Sequence, residues 1–147
     1  MSTQSLVLQF PAPEPEQSAA FMQAKLAYHT DAADLAEDLV NGVEAIVVID
    51  TRSPALYAAG HIPGAVSFPH RTMDEQTTAS LDRSKTYVVY CDGIGCNGST
   101  KGAWKLARLG FRVKELLGGL DFWKRDGHPL ATGMEPGRTE EAAQCGC

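Results

Sequence analysis

The spacing of apolar residues along the chain predicts helices that alternate with short buried strands. Apolar positions recur at helical spacing in residues 17–28 and 31–40. The continuous β-branched run 45–49 then predicts a strand that is buried on both faces of a parallel sheet. The remaining predicted elements are a helix that begins at Ser53 and ends at Gly60, strands at 65–68, 87–90 and 113–117, and helices at 99–109 and 120–125.

Strands that alternate with helices favour parallel pairing and right-handed crossovers. We therefore expect an α/β fold with three layers, in which a central, mostly parallel sheet is flanked by helices. The organisation we expect is an N-terminal arm and helix in 1–27, the α/β domain in 28–132 and a flexible tail in 133–147. The prolines in 6–16 predict an extended arm, and the polar stretch 70–85 predicts irregular structure.

Composition narrows the classes of function. The 147 residues carry 13 Lys and Arg against 18 Asp and Glu, and they contain no basic run of the kind that binds nucleic acid. No segment approaches the roughly 20 apolar residues that cross a bilayer, and the N-terminus lacks a secretory signal. We therefore expect a cytoplasmic protein without nucleic-acid or membrane partners. The four cysteines, none of them in the first 90 residues, indicate thiol chemistry rather than a disulfide framework.

Cys91 follows the predicted strand 87–90 and precedes a glycine-rich loop. Reactive groups in open parallel sheets lie beyond the carboxyl ends of the strands, where Cys91 is expected. The loop glycines let backbone amides turn inward around an anion, and the next helix adds partial positive charge, which lowers the pKa of a thiol. We predict a nucleophilic thiolate at Cys91 rather than a small core residue. The predicted anion cradle comprises Asp92, Gly93, Ile94, Gly95, Cys96, Asn97, Gly98, Ser99 and Thr100.

Further motifs stand in a fixed order around this cysteine. They are Asp50-Thr51-Arg52, Tyr57 with Gly60-His61-Ile62-Pro63-Gly64-Ala65, Cys91 at a strand end, and Gly118-Gly119 with Trp123, Gly127 and Pro129. In this order they resemble the motifs of rhodanese domains over about residues 28–130. The resemblance implies the rhodanese fold and a catalytic cysteine at position 91. It also implies transfer of sulfane sulfur from thiosulfate or a protein persulfide to a thiophilic acceptor, a reaction that requires no metal or other cofactor.

Supporting roles are expected for the charged motif residues. Asp50 and Arg52 are expected to pair or to cap loops near the sheet end, and His61 to fix a turn rather than to move protons. The loop is longer than is usual in the family, and Lys101 is the first basic residue after Cys91. Phosphatases with a similar loop clamp a tetrahedral dianion with an arginine, so a phosphatase is disfavoured and a protein persulfide becomes an attractive donor.

The other thiols leave alternatives open. Cys96 is a candidate to resolve a Cys91 persulfide into a disulfide if the two Cα atoms lie within about 7 Å. A spectator role is an equal alternative, and a role as the primary thiol, with Cys91 buried beneath it, is a further one. Cys145 and Cys147 are candidates for a sulfur relay on a flexible tail. Together the four thiols also suit a zinc site, and a redox-sensing module without turnover is a further alternative. The sequence does not indicate the oligomeric state.

Overall fold

Helices and strands alternate along residues 3–139, the part of the chain that the computed structural model describes. The helices are α1 (Pro15–Tyr28), α2 (Ala32–Val40), α3 (Pro54–Ala59), α4 (Gly98–Arg108) and α5 (Gly119–Arg125). The strands are β1 (His29–Thr30), β2 (Ile46–Asp50), β3 (Val66–Ser67), β4 (Thr86–Tyr90) and β5 (Arg112–Leu116). Short 3-10 turns lie at Val7–Gln9 and His70–Thr72.

The strands form one parallel sheet in the order β1-β5-β4-β2-β3. The central strand β4 shows why helices cover both faces. Its side chains alternate between two apolar clusters, with Val88 and Tyr90 on one face and Tyr87 and Val89 on the other. Helices α2, α3 and α5 contribute to the first cluster, and α4 contributes to the second. The predicted three-layer α/β fold is therefore confirmed.

The N-terminal part differs from the prediction. The sequence pattern does not predict β1, because two residues are too few to show a period. The arm is not extended throughout, since it contains a 3-10 turn and α1 begins at Pro15, whose fixed φ suits a first helical turn. The helical spacing in α1 does not mark a buried stripe, because Met22 and Leu26 are 54% and 74% exposed.

The sheet places three strand ends at one edge. Strand β2 ends at Asp50, β4 at Tyr90 and β5 at Leu116, and parallel strands present their carboxyl ends together. The segment 91–97 leaves this edge and leads directly into α4. The edge therefore gathers Cys91, the loop that follows it and the first residues of two helices.

Candidate active site

Cys91 is the first residue after β4 and is 5% exposed. Its carbonyl oxygen accepts a hydrogen bond of 2.9 Å from the amide of Leu120 in the first turn of α5. Gly119 has a φ of +58°, and a Cβ at this position would collide with the same carbonyl oxygen. The glycine pair at the start of α5, Gly118 and Gly119, therefore allows that helix to begin against the backbone of Cys91.

Cys91 and Cys96 form a disulfide, with their Cα atoms 6.3 Å apart. This separation lies within the range that a disulfide spans. A turn folds the loop back, because the amide of Cys96 donates to the carbonyl oxygen of Gly93 over 3.1 Å. The two thiols of the loop are thus direct neighbours, and reduction of the bond is required before either can act as a nucleophile.

Both sulfur atoms lie against the N-terminus of α4. A Cβ on Gly98 would come within 3.0 Å of Cys91 Sγ and 3.5 Å of Cys96 Sγ, so a larger residue would press on the disulfide. The amide of Gly98 donates to Cys96 Sγ over 3.4 Å, and Asn97 provides no side-chain cap for the helix. A helix N-terminus stabilises negative charge, so a thiolate formed here by reduction is favoured.

A pocket of about 190 Å³ opens beside the disulfide. Its walls come from the loop, the start of α4, the first residue of β1, and the end of β5 with the turn that follows it. The lining residues are His29, Cys91, Gly93, Ile94, Cys96, Ser99, Thr100, Glu115, Leu116, Leu117, Gly118 and Gly119. The pocket has room for a small molecule or the tip of a side chain, and Cys91 is one of its lining residues.

A second, larger hollow shares the loop residues Gly93, Ile94 and Cys96 with this pocket. It is lined by Cys96 and not by Cys91, and its cationic side chains are Lys124 and Arg125. Arg125 is paired with Asp121 over 3.1 Å. We regard the smaller pocket as the candidate reaction site, because Cys91 is one of its lining residues.

Glu115 of β5 is a pocket residue that the sequence analysis missed. Its Oε2 accepts hydrogen bonds from the hydroxyls of Ser99 (3.0 Å) and Thr100 (2.9 Å), the second and third residues of α4. A carboxylate therefore already lies at the helix N-terminus beside Cys91. The order of the strands would have been needed to find it, because the site contact depends on β5 lying next to β4.

Arg52 connects the loop after Cys91 to the end of β2. Its guanidinium pairs with buried Asp50 over 2.7 Å and with Asp92 over 3.0 Å, and it donates to the carbonyl oxygen of Gly60 over 2.7 Å. Burial by itself lowers the pKa of Arg52, but the hydrogen bonds and charge of Asp50 and Asp92 outweigh it and raise the pKa above its usual value. Arg52 thus ties the residue after Cys91 to the end of β2, and it does not line the pocket.

The other predicted supporting residues lie away from the pocket. His61 is buried, with Nδ1 2.8 Å from the carbonyl oxygen of Tyr57 and Nε2 3.0 Å from that of Pro136. These contacts fix the turn that follows α3. Lys101 is exposed on α4 and is not among the residues that line the pocket.

Two histidines near the site were also missed by sequence reasoning. His29 lines the pocket, and its buried Nδ1 has no hydrogen-bond partner among the described residues. His70 lies beside Gly98, because a Cβ there would come within 3.4 Å of His70 Cδ2. Burial lowers the pKa of His70, and the positive charges of Lys105, Arg71 and Lys101 lower it further. No motif marks these histidines in the sequence, since only the fold brings them to the loop.

The tail thiols Cys145 and Cys147 lie outside the described residues, so the sulfur relay and the four-thiolate zinc site both remain predictions. Within residues 3–139, no group of three or more His, Cys, Asp or Glu side chains is placed to hold a metal ion. None of the described helices combines the length and apolar character needed to span a membrane.

Comparison with known families identifies the class of protein. The family model described as "Rhodanese-like domain" matches residues 31–126, more than half of the chain. The chain therefore belongs to the rhodanese-like domain family, as the sequence motifs predict. The match covers β2 to β5, the loop after Cys91 and α5.

Relatives and solved structures agree with this assignment. Thiosulfate sulfurtransferase GlpE of Pseudomonas entomophila is 40% identical over 83 residues, 55% of this chain and 72% of the relative. HTH-type transcriptional regulator Rv0324 of Mycobacterium tuberculosis is 33% identical over 63% of this chain, but the match spans only 40% of that protein. The crystal structure of the BH2092 protein from Bacillus halodurans is 41% identical with a TM-score of 0.79, covering 82% of this chain and 88% of that one.

Proposed function

We propose that the chain is a sulfurtransferase that carries sulfane sulfur as a persulfide on Cys91. The proposal rests on the position of Cys91, which lines the pocket and whose Sγ lies against the N-terminus of α4. A relative named thiosulfate sulfurtransferase, 40% identical over 83 residues, supports the reaction class. The donor is thiosulfate or a protein persulfide, and the acceptor is a thiol or another thiophilic nucleophile.

The proposed cycle starts from the reduced loop. A thiol reductant supplies two electrons to the Cys91–Cys96 disulfide and is itself oxidised to a disulfide. The Cys91 thiolate then attacks the outer sulfur of thiosulfate, a new S–S bond forms, and the old S–S bond leaves its electron pair on sulfite. The acceptor thiolate takes the terminal sulfur of the persulfide, and Cys91 departs as a thiolate. Amides at the start of α4 stabilise the sulfur anion at each stage.

Cys96 is proposed as the resolving thiol. Its thiolate attacks the inner sulfur of the Cys91 persulfide, the disulfide forms again, and the terminal sulfur leaves as hydrosulfide. The Cα separation of 6.3 Å supports this step. The reverse order, with Cys96 as the first nucleophile, has the larger hollow as its access route.

A second candidate function is a thiol redox sensor that forms the same disulfide without transferring sulfur. The pairing of Cys91 with Cys96 favours this candidate, because it places two thiols within bonding reach at a helix N-terminus. The sensor predicts oxidation by mild peroxide and no gain of sulfur from a donor.

Sulfur loading separates the two candidates. The protein is reduced, freed of reductant and treated with thiosulfate, and its intact mass is measured. The sulfurtransferase gains about 32 Da, one sulfur atom, and Cys91→Ser abolishes the gain. A Cys96→Ser protein cannot resolve the persulfide, so its failure to gain sulfur from thiosulfate or from a persulfide rejects sulfur transfer in favour of the sensor.

A further inference from the structure

Glu115 lies where an anionic donor would have to bind. Its carboxylate accepts both hydroxyl hydrogens of the first turn of α4, from Ser99 over 3.0 Å and from Thr100 over 2.9 Å. Each hydroxyl has one hydrogen to donate. Neither side chain can therefore donate to a bound sulfonate without giving up its bond to Glu115, and the helix N-terminus already faces one negative charge.

The charges of the pocket reinforce this effect. Among the residues that line it, Glu115 is the charged carboxyl side chain, and none is Lys or Arg. The nearby guanidinium of Arg52 is paired with Asp50 and Asp92. His29 faces the same pocket and is the neighbour of Glu115 across the β1–β5 pair. The residues that line the pocket thus present one carboxylate and no Lys or Arg to a donor at Cys91.

Apolar side chains border the same opening. Ile94 and Leu117 line the pocket and are 79% and 49% exposed. Both also line an adjoining hollow of about 420 Å³, together with Phe122, which is 37% exposed. An organic group attached to the incoming sulfur can cover this apolar border, whereas the sulfonate of thiosulfate cannot.

We infer that Glu115 determines donor specificity, and that it selects a singly charged organic persulfide over dianionic thiosulfate. The inference rests on the proposed sulfur transfer at Cys91 and names the substrate class of that site. Thiosulfate carries one more negative charge than a persulfide such as cysteine persulfide. At a separation of several ångströms, an added like charge in a partly exposed site is worth roughly tenfold in rate after screening.

The transfer step balances for both donors. With thiosulfate, the Cys91 thiolate bonds to the outer sulfur and sulfite leaves with the electron pair. With a singly charged persulfide, the thiolate bonds to the outer sulfur, the negative charge of that sulfur stays on the new Cys91 persulfide, and the organic group leaves as a thiolate with the electron pair of the broken S–S bond. Neither step consumes an oxidant or a reductant, so the two rates report the same chemistry with different charges on the donor.

The test compares the two donors on the pre-reduced full chain with Glu115→Gln. Glutamine keeps an oxygen that can accept the bonds from Ser99 and Thr100, so it removes the charge with little change in shape. We measure the second-order rate constant of sulfur loading on Cys91 by quenching samples at set times and determining their mass by mass spectrometry. Glu44→Gln is the matched control, because it removes one negative charge from an exposed position just before β2, at the opposite edge of the sheet.

The expected result is a roughly tenfold rise in the ratio of the thiosulfate rate to the cysteine persulfide rate in Glu115→Gln, and no change of that ratio in Glu44→Gln. Any effect of the charge on the Cys91 thiolate itself cancels in the ratio. Added salt should raise the thiosulfate rate of the wild type and should raise that of Glu115→Gln less.

Two other results would contradict the inference, and they can be told apart. An unchanged ratio and an unchanged salt dependence in folded Glu115→Gln would overturn the role of Glu115 while leaving sulfur transfer intact. Failure of Cys96→Ser, which cannot resolve a Cys91 persulfide, to load sulfur from either donor would overturn the proposed function and this inference with it. A capped Leu-Cys-Leu persulfide distinguishes the two sources of the organic donor. It loads faster than cysteine persulfide if the natural donor is a protein and the apolar border contacts it, and no faster if the donor is a small molecule.

Discussion

Removal of the Arg52 side chain should destabilise the fold strongly, because its partner Asp50 has no exposure to solvent. Asp50 accepts three hydrogen bonds from the Arg52 side chain, two from Nε (3.0 and 3.2 Å) and one from Nη2 (2.7 Å). In Arg52→Met the carboxylate keeps only the amide of residue 52 (2.9 Å) and the hydroxyl of Tyr90 (3.0 Å). Breaking a buried ion pair by removing one partner costs about 3–5 kcal/mol. This is a large fraction of the roughly 5–15 kcal/mol that holds a typical domain folded.

The assay is urea unfolding at pH 7, followed by circular dichroism and fitted with a common slope. Arg125→Met is the matched control, because it breaks the Arg125–Asp121 pair, whose side chains are 66% and 48% exposed. An exposed pair at this helical spacing contributes only about 0.3–0.5 kcal/mol. The double variant Asp50→Asn with Arg52→Met should recover part of the loss, since it removes the uncompensated charge. The reasoning is refuted if Arg52→Met costs no more than the control.

Two further predictions concern the residues around the loop. Gly119→Ala forces a φ of +58° on an alanine and drives its Cβ into the carbonyl oxygen of Cys91, so it should cost about 3 kcal/mol or more in urea unfolding. Gly127→Ala, with a φ of +80° and open space around the new Cβ, should cost about 1–2 kcal/mol. Because the pKa of His70 is lowered in the folded protein, the unfolded chain binds a proton at this residue more readily than the folded chain does. The stability that neutral His70 provides is therefore present above about pH 6.5 and is lost as the pH falls toward the folded pKa. His70→Gln should flatten the pH dependence of the unfolding free energy just below pH 6.5, and an unchanged slope would contradict this cause.

The sequence predicts the fold well where the residues of one element form a continuous apolar run. The runs 45–49 and 87–90 are too apolar for a surface strand, and the structure places them as β2 and β4 in the centre of the sheet. The two-residue β1 has no detectable period, and the apolar residues of α1 keep helical spacing without being buried. Local pattern therefore predicts the central elements, but it does not show whether an amphipathic segment has a partner.

The sequence likewise predicts one part of the candidate site and not the other. The strand-end position of Cys91 and the glycines around it follow from local sequence, because a strand, a turn and a helix start are each marked by their residues. The residues that surround the thiol do not follow from local sequence. Glu115 lies 24 positions after Cys91 in the chain, and only the β4–β5 pairing brings it to the start of α4. The single charge that shapes the pocket thus depends on strand order, which no local motif encodes.

The most direct test of the central claim is the location of the transferred sulfur. Trypsin cleaves after Lys85 and Lys101, so one peptide, residues 86–101, contains both Cys91 and Cys96. After brief loading of the reduced protein and alkylation, fragment ions that break between the two cysteines assign the extra sulfur, about 32 Da, to one of them. The account predicts that it lies on Cys91 in the wild type and in Cys96→Ser, and that Cys91→Ser carries none. Extra sulfur on Cys96 in the wild type that persists in Cys91→Ser would contradict it.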